Sequence, residues 1–234
     1  MKFFSVMLAM LMTGTVSLCA AETKVYESKI EKKDLSGWMD LKRRTPPGAD
    51  HAKLVLEDGK YIMKTSNHRW AGLSGTFSSP VKVDQNLKKL TLHIRLKQAG
   101  KGHYGSVLAI STRKEIDIHN GKAFSANRDS GIMIQGHIHH SACIITARLE
   151  GKNVKTIKLS NHKRPPFFSA HNKWADWHVT YDNEKKEVSI TIDNNTEPSL
   201  VLRDIDFNGK TFNCFWISQL ENAVASVNVV AETK

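Results

Sequence analysis

The sequence predicts an all-β protein, an antiparallel two-sheet β-sandwich. Three observations predict it. Apolar and polar residues alternate with period two along most of the chain, and Gly, Pro, Asp and Asn turns interrupt that alternation at short intervals. Beyond the N-terminus, no stretch shows the 3.6-residue period of an amphipathic helix. Period two sends successive side chains to opposite faces, so each strand offers one apolar face to a partner layer. The 234 residues, 40% hydrophobic and 24% charged, fit a globular chain and exclude a disordered or fibrous one.

Residues 1–21 read as a secretory signal peptide. Lys2 gives a short positive start, Phe3 to Met12 form an apolar stretch, and Thr13 to Ala21 are small and mostly neutral before a cut ahead of Glu22. No other apolar run reaches the roughly 18 residues of a membrane helix, so no membrane span is expected. Residues 22–234 then form one domain, in a secreted (extracellular or periplasmic) protein. No internal repeat or linker divides them.

The strands follow in order. Lys24–Ile30, Ala52–Glu57, Tyr61–Thr65 and Gly75–Ser79 are short candidates separated by turns. Leu90, Leu92, Ile94 and Leu96 alternate with Thr91, His93, Arg95 and Lys97; Ser106–Ile110 is a small-apolar run. Ile116 and Ile118 alternate with Glu115, Asp117 and His119. Ile132, Ile134 and Ile138 open a stretch to Leu149 that is too long for one strand and turns near His140-Ser141. Trp177–Asp182 and Glu187–Asp193 form a hairpin around Asn183–Lys186, and Leu200–Ile205, Phe212–Ser218 and Val224–Val230 complete the set.

Without the leader the chain holds 33 basic residues against 23 acidic, a net charge of +10. The basic pairs are scattered over turns and not gathered on one helix or stripe, so no nucleic acid is expected as a partner. The excess fits a solvated surface or attraction to an acidic or sulfated polysaccharide. Cys143 and Cys214 either pair or stay as buried thiols. No CxxC or paired Cys/His spacing is present, and neither a structural metal nor a cofactor is expected.

Glu115-Ile116-Asp117-Ile118-His119 is the sharpest candidate site. On a strand its three polar residues share one face, and carboxylates on a cleft floor are what glycoside hydrolysis uses. The region resembles the glycoside hydrolase family 16 enzymes, whose core motif reads Glu, an aliphatic residue, Asp, a hydrophobic residue, then Glu, sometimes after one extra residue. Asp58–Ile62, Ser74–Ser79, Leu92–Gly102, Trp177–Tyr181 and Ile190–Asp193 are similar to other segments of that concanavalin-A-like jelly roll, in the same order. The resemblance implies Glu115 as nucleophile and Asp117 as assisting acid. It places the acid/base on His119, or on Asn120 in the bulged form, and neither is a carboxylate.

Gln135, His137 and His139 share a second strand face. His-x-His on a strand can bind a transition metal, and Gln-x-His also resembles a motif of alginate-lyase-like jelly rolls, where the pair neutralises a uronate and helps abstract a proton. The bland reading is a polar lining that hydrogen-bonds sugar hydroxyls. His93 and Arg95 are expected near this cleft. Of the five tryptophans, Trp70 and Trp177 are candidates to stack on sugar rings, and Trp216 reads as core. The leading expectation is a secreted polysaccharide-active protein resembling a hydrolase. The alternatives are a non-catalytic carbohydrate-binding module and a lyase using His137 with Gln135.

Overall fold

The computed structural model describes residues 20–36, 38–40, 52–65, 72–98, 107–113, 129–137, 142–159, 173–193, 200–218 and 222–234. These form fifteen strands and one 3-10 turn at Ile30–Lys32. The strands are β1 (Ala21–Glu27), β2 (Trp38–Asp40), β3 (Ala52–Glu57), β4 (Lys60–Thr65), β5 (Gly72–Lys82), β6 (Leu87–Gln98), β7 (Val107–Ser111) and β8 (Gly131–His137). β9 (Ala142–Leu149), β10 (Lys152–Leu159), β11 (Trp174–Asp182), β12 (Glu187–Ile192), β13 (Leu200–Leu202), β14 (Thr211–Ser218) and β15 (Asn222–Thr233) follow.

They make two antiparallel sheets, as the alternation predicts. An eight-stranded sheet runs β13-β12-β11-β6-β15-β4-β3, with β1 also on β15, and a seven-stranded sheet runs β10-β9-β8-β7-β14-β5-β2. β1 and β4 take successive parts of one edge of β15: Glu27 faces Asn228, while Lys64 faces Ala223.

The core fills the space between the sheets. From the eight-stranded sheet come Leu90, Leu92, Ile94 and Leu96 of β6, Trp177, Val179 and Tyr181 of β11, and Val227 and Val229 of β15. From the other come Ile110, Ile132, Ile134, Ile145, Phe215 and Ile217. Each fully buried side chain of this kind stabilises by about 1.5–3 kcal/mol relative to exposure. Tyr26, Trp38 and Phe215 meet edge to face, with ring centroids 4.8–5.9 Å apart. Gly75 lies against them, where a Cβ would overlap the Phe215 ring.

Local signals set the hairpins. Asp58-Gly59 joins β3 to β4 and Glu150-Gly151 joins β9 to β10, with φ of 51° and 76°, and 49° and 81°. Two successive positive φ values match the right-handed twist of the flanking strands, and Gly carries the second at no steric cost. The turn 183–186 joins β11 to β12, with the Asp182 carboxylate accepting from the Glu184 and Lys185 amides at 3.1 and 3.0 Å.

Two strands depart from expectation. β2, which falls between the strand candidates Lys24–Ile30 and Ala52–Glu57, puts Trp38 in the core, 4% exposed. β10 was not anticipated: it is an edge strand whose residues 152–156 are exposed, so no apolar alternation marks it. The Glu150-Gly151 turn was the available signal.

Candidate functional site

β7 and β8 pair from Val107↔Gln135 to Ser111↔Gly131, and the pairing continues past the strand ends. The Thr112 amide donates to the Ser130 carbonyl and the Ser130 amide to Thr112 Oγ1, each at 3.0 Å. Arg113 Nε then meets Asp129 Oδ2 at 2.7 Å, the two side chains only 13% and 14% exposed. Residues 114–128 leave from this clamp and return to it. Glu115, Asp117 and His119 belong to that connection and lie outside the described residues, as do His139 and Trp70.

Gln135 and His137 lie on β8, inside the seven-stranded sheet; their side chains are outside the described residues. Gln135 stands opposite Val107 and Ile144, and His137 opposite Ala142. Gly131 and His137 are about 20 Å apart at roughly 3.3 Å per residue, so the clamp and His137 stand at opposite ends of the hairpin. The outer face of this sheet is lined in register. Trp216 pairs with Ser74 and Ala109, Ala109 with Met133, and Met133 with Thr146. Trp216, Ser74 and Thr146 are buried at 1–5% exposure, although Trp216 alternates with the core residues Phe215 and Ile217.

His93 and Arg95 correct one expectation. They sit on β6 of the eight-stranded sheet, on its outer face, because Leu92, Ile94 and Leu96 take the inner one. They therefore share no cleft with Gln135 and His137 on the other sheet. Period two fixes which side of a strand a residue occupies, but not which sheet the strand joins. β6 pairs with β11 and β15, not with β7, which follows it in sequence.

Around them lies a polar hollow of about 430 Å³, lined by His93, Arg95, Asp176, His178, Ser226 and Asn228 among others. His93 stands between His178 of β11 and Asn228 of β15. The two imidazoles meet edge to face with centroids 4.4 Å apart. Arg95 pairs with Asp176, whose backbone amide donates to Asp193 Oδ1 at 3.1 Å. Burial lowers the His93 pKa, and the neighbouring His178 lowers it further, against opposing pulls from Asp176 and Glu22. His178, Ser226 and Asn228 were missed because their nearness to His93 depends on strand pairing.

Trp177 is a second correction. It is 4% exposed within the core and offers no ring face to a ligand. Its neighbour Trp174, one face away, is half-buried under the Lys97 ammonium, 5.3 Å from its ring centroid. The cysteine alternatives also resolve. Cys214 is free and buried, and burial pushes its thiol up to about 12. Cys143 lies on β9, which β8 and β7 separate from the β14 strand of Cys214. Three strand spacings of about 4.8 Å far exceed the roughly 4.4–6.8 Å between Cα atoms that a disulfide spans.

Among the described residues, no helix is long and apolar enough to cross a membrane. No protein-family model matches the chain, and no curated protein matches it in sequence. Solved structures do match in shape. The metal-free carbohydrate recognition domain of Emp46p aligns with a TM-score of 0.56 at 12% identity, covering 88% of this chain and 94% of that one. Peanut lectin aligns at 0.56 and 9% identity, over 92% and 99% of the two chains. The lectin from Bauhinia forficata, in complex with GalNAc, aligns at 0.54 and 10% identity over the same shares. Two packed antiparallel sheets in this arrangement, matched over nearly the whole of each chain, are a β-sandwich jelly roll, the fold of these lectin domains.

Proposed function

We propose that the protein is a carbohydrate-binding module that holds an extracellular glycan without cleaving it, on the outer face of the seven-stranded sheet. The observation that carries this reading is the alignment with lectin domains over nearly the full length of both chains. One of those domains is a carbohydrate recognition domain and another holds GalNAc. The sequence supports the absence of cleavage: His119 or Asn120 stands where the family 16 pattern has its acid/base carboxylate. Retaining hydrolysis needs two such groups about 5–5.5 Å apart.

In this reading Gln135 and His137 hydrogen-bond sugar hydroxyls from β8. Glu115, Asp117, His119, His139 and Trp70, which lie outside the described residues, remain candidate contacts of the same reading. The leader-like residues 1–21 direct the chain out of the cytosol, and the net charge of +10 favours an acidic or sulfated polymer.

Affinity electrophoresis of residues 22–234 against neutral, uronate-rich and sulfated polysaccharides tests this. At least one polymer should retain the protein. Retention by an acidic polymer should weaken steeply between low and physiological salt, because surface attraction is screened over about 8–10 Å. Gln135→Ala with His137→Ala should weaken binding about tenfold or more, roughly 1.4 kcal/mol. Retention by no polymer, or retention indifferent to the double variant, would overturn the reading. Unsaturated products would replace it with a lyase.

A further inference from the structure

The hollow on the eight-stranded sheet is left without a role by the glycan reading, and its geometry is specific. His93 and His178 are directly opposite on adjacent antiparallel strands. Both strands are internal to the sheet, β6 held between β11 and β15, and β11 between β6 and β12. On one side of the pair Thr91 and Thr180 share a hydrogen bond at 3.1 Å; on the other Arg95 pairs with Asp176. These flanking contacts fix the two strands laterally at the level of the imidazoles. The rings lie 4.4 Å apart between centroids, with planes at 76°, and face a space of about 430 Å³.

We propose that His93 and His178 together form a surface site for a borderline divalent transition-metal ion such as Cu²⁺, Ni²⁺ or Zn²⁺. Two imidazoles bound to one ion at about 2.0–2.1 Å per metal–nitrogen bond hold their ring centres roughly 4.5–5 Å apart, so the observed spacing needs only a small adjustment. Imidazole nitrogen suits these ions, whereas Ca²⁺ and Mg²⁺ take oxygen ligands. Metal binding needs neutral imidazole, and burial together with the neighbouring ring disfavours the charged form of His93.

Among the described residues, no group of three or more His, Cys, Asp or Glu converges. Among the described residues the site is a two-ligand one, with its remaining positions facing the hollow and open to water. Asn228, opposite His93 on β15, and Ser226 border those positions and can hydrogen-bond the water.

The test uses Cu²⁺ as the probe, on residues 22–234. Paramagnetic broadening of backbone amide signals locates the ion, and calorimetry gives its affinity. Amides near Thr91–Arg95 and Asp176–Thr180 should broaden at substoichiometric Cu²⁺. His93→Gln and His178→Gln should each weaken that site about tenfold or more, with Ca²⁺ failing to compete. Melting curves, with His→Asn versions of both variants, confirm that the sheet is intact. Broadening confined to residues around His137 and His139, loss in only one of the two variants, or unchanged affinity in both overturns the proposal. Glycan retention plays no part in these readouts, so the two proposals fail separately.

Discussion

Tyr26 and Tyr181 bury the same phenol in two different surroundings. The Tyr26 hydroxyl is enclosed by the ring cluster with no hydrogen-bond partner among the described residues, and burial raises its pKa. The Tyr181 hydroxyl donates to Asn183 Oδ1 at 3.1 Å and accepts from the Phe207 amide at 3.3 Å; burial pushes it up to about 12. Asn183 in turn donates to the carbonyls of Asp84 and Leu87 at 2.8 and 2.9 Å, pinning the β11–β12 turn to the start of β6. An unpaired buried hydroxyl costs stability, whereas removing a paired one orphans its partners. Urea unfolding should therefore find Tyr26→Phe neutral or stabilising by up to about 1 kcal/mol, and Tyr181→Phe destabilising by about 1–3 kcal/mol. The reverse order would contradict these assignments.

At the scale of elements, Glu57 joins the β3–β4 hairpin to β6. Its carboxylate meets Lys64 Nζ at 2.6 Å and Lys97 Nζ at 2.8 Å. Hydrogen bonds from these two ammonium groups lower its pKa from 4.5 to about 2. A carboxyl depressed by folding stabilises above its unfolded pKa and loses that contribution as pH falls through its folded pKa. The stability advantage of wild type over Glu57→Gln should thus be constant above about pH 5 and vanish between about pH 4.5 and 2. An advantage unchanged at pH 2 would show that the pair does not form.

The same elements show what was legible in the sequence. β6 and the β11–β12 hairpin were legible because one face of each strand is apolar and buried. β10 was hidden because an edge strand buries little, and its lysines at 152, 155 and 158 leave no alternation to read. β2 is three residues long, too short for any period.

For the molecule as a whole, composition and period specified a sandwich, yet the candidate site depended on sheet order, which neither encodes. Gln135 and His93 both read as polar positions on half-buried strands, and the topology sends them to opposite sheets. His178 entered the sequence reading only as part of a hairpin, and pairing alone puts it beside His93. The proposed binding role rests on the fold and the proposed absence of cleavage on His119, so a direct count of cleavage events is the decisive measurement. The polysaccharide that best retains the protein should be incubated with wild type and with Glu115→Gln, and reducing ends counted over time. A binding module gives no release above the protein-free control from either protein, with retention persisting in both. Reducing ends released by wild type and abolished in Glu115→Gln would contradict it and make the protein a hydrolase.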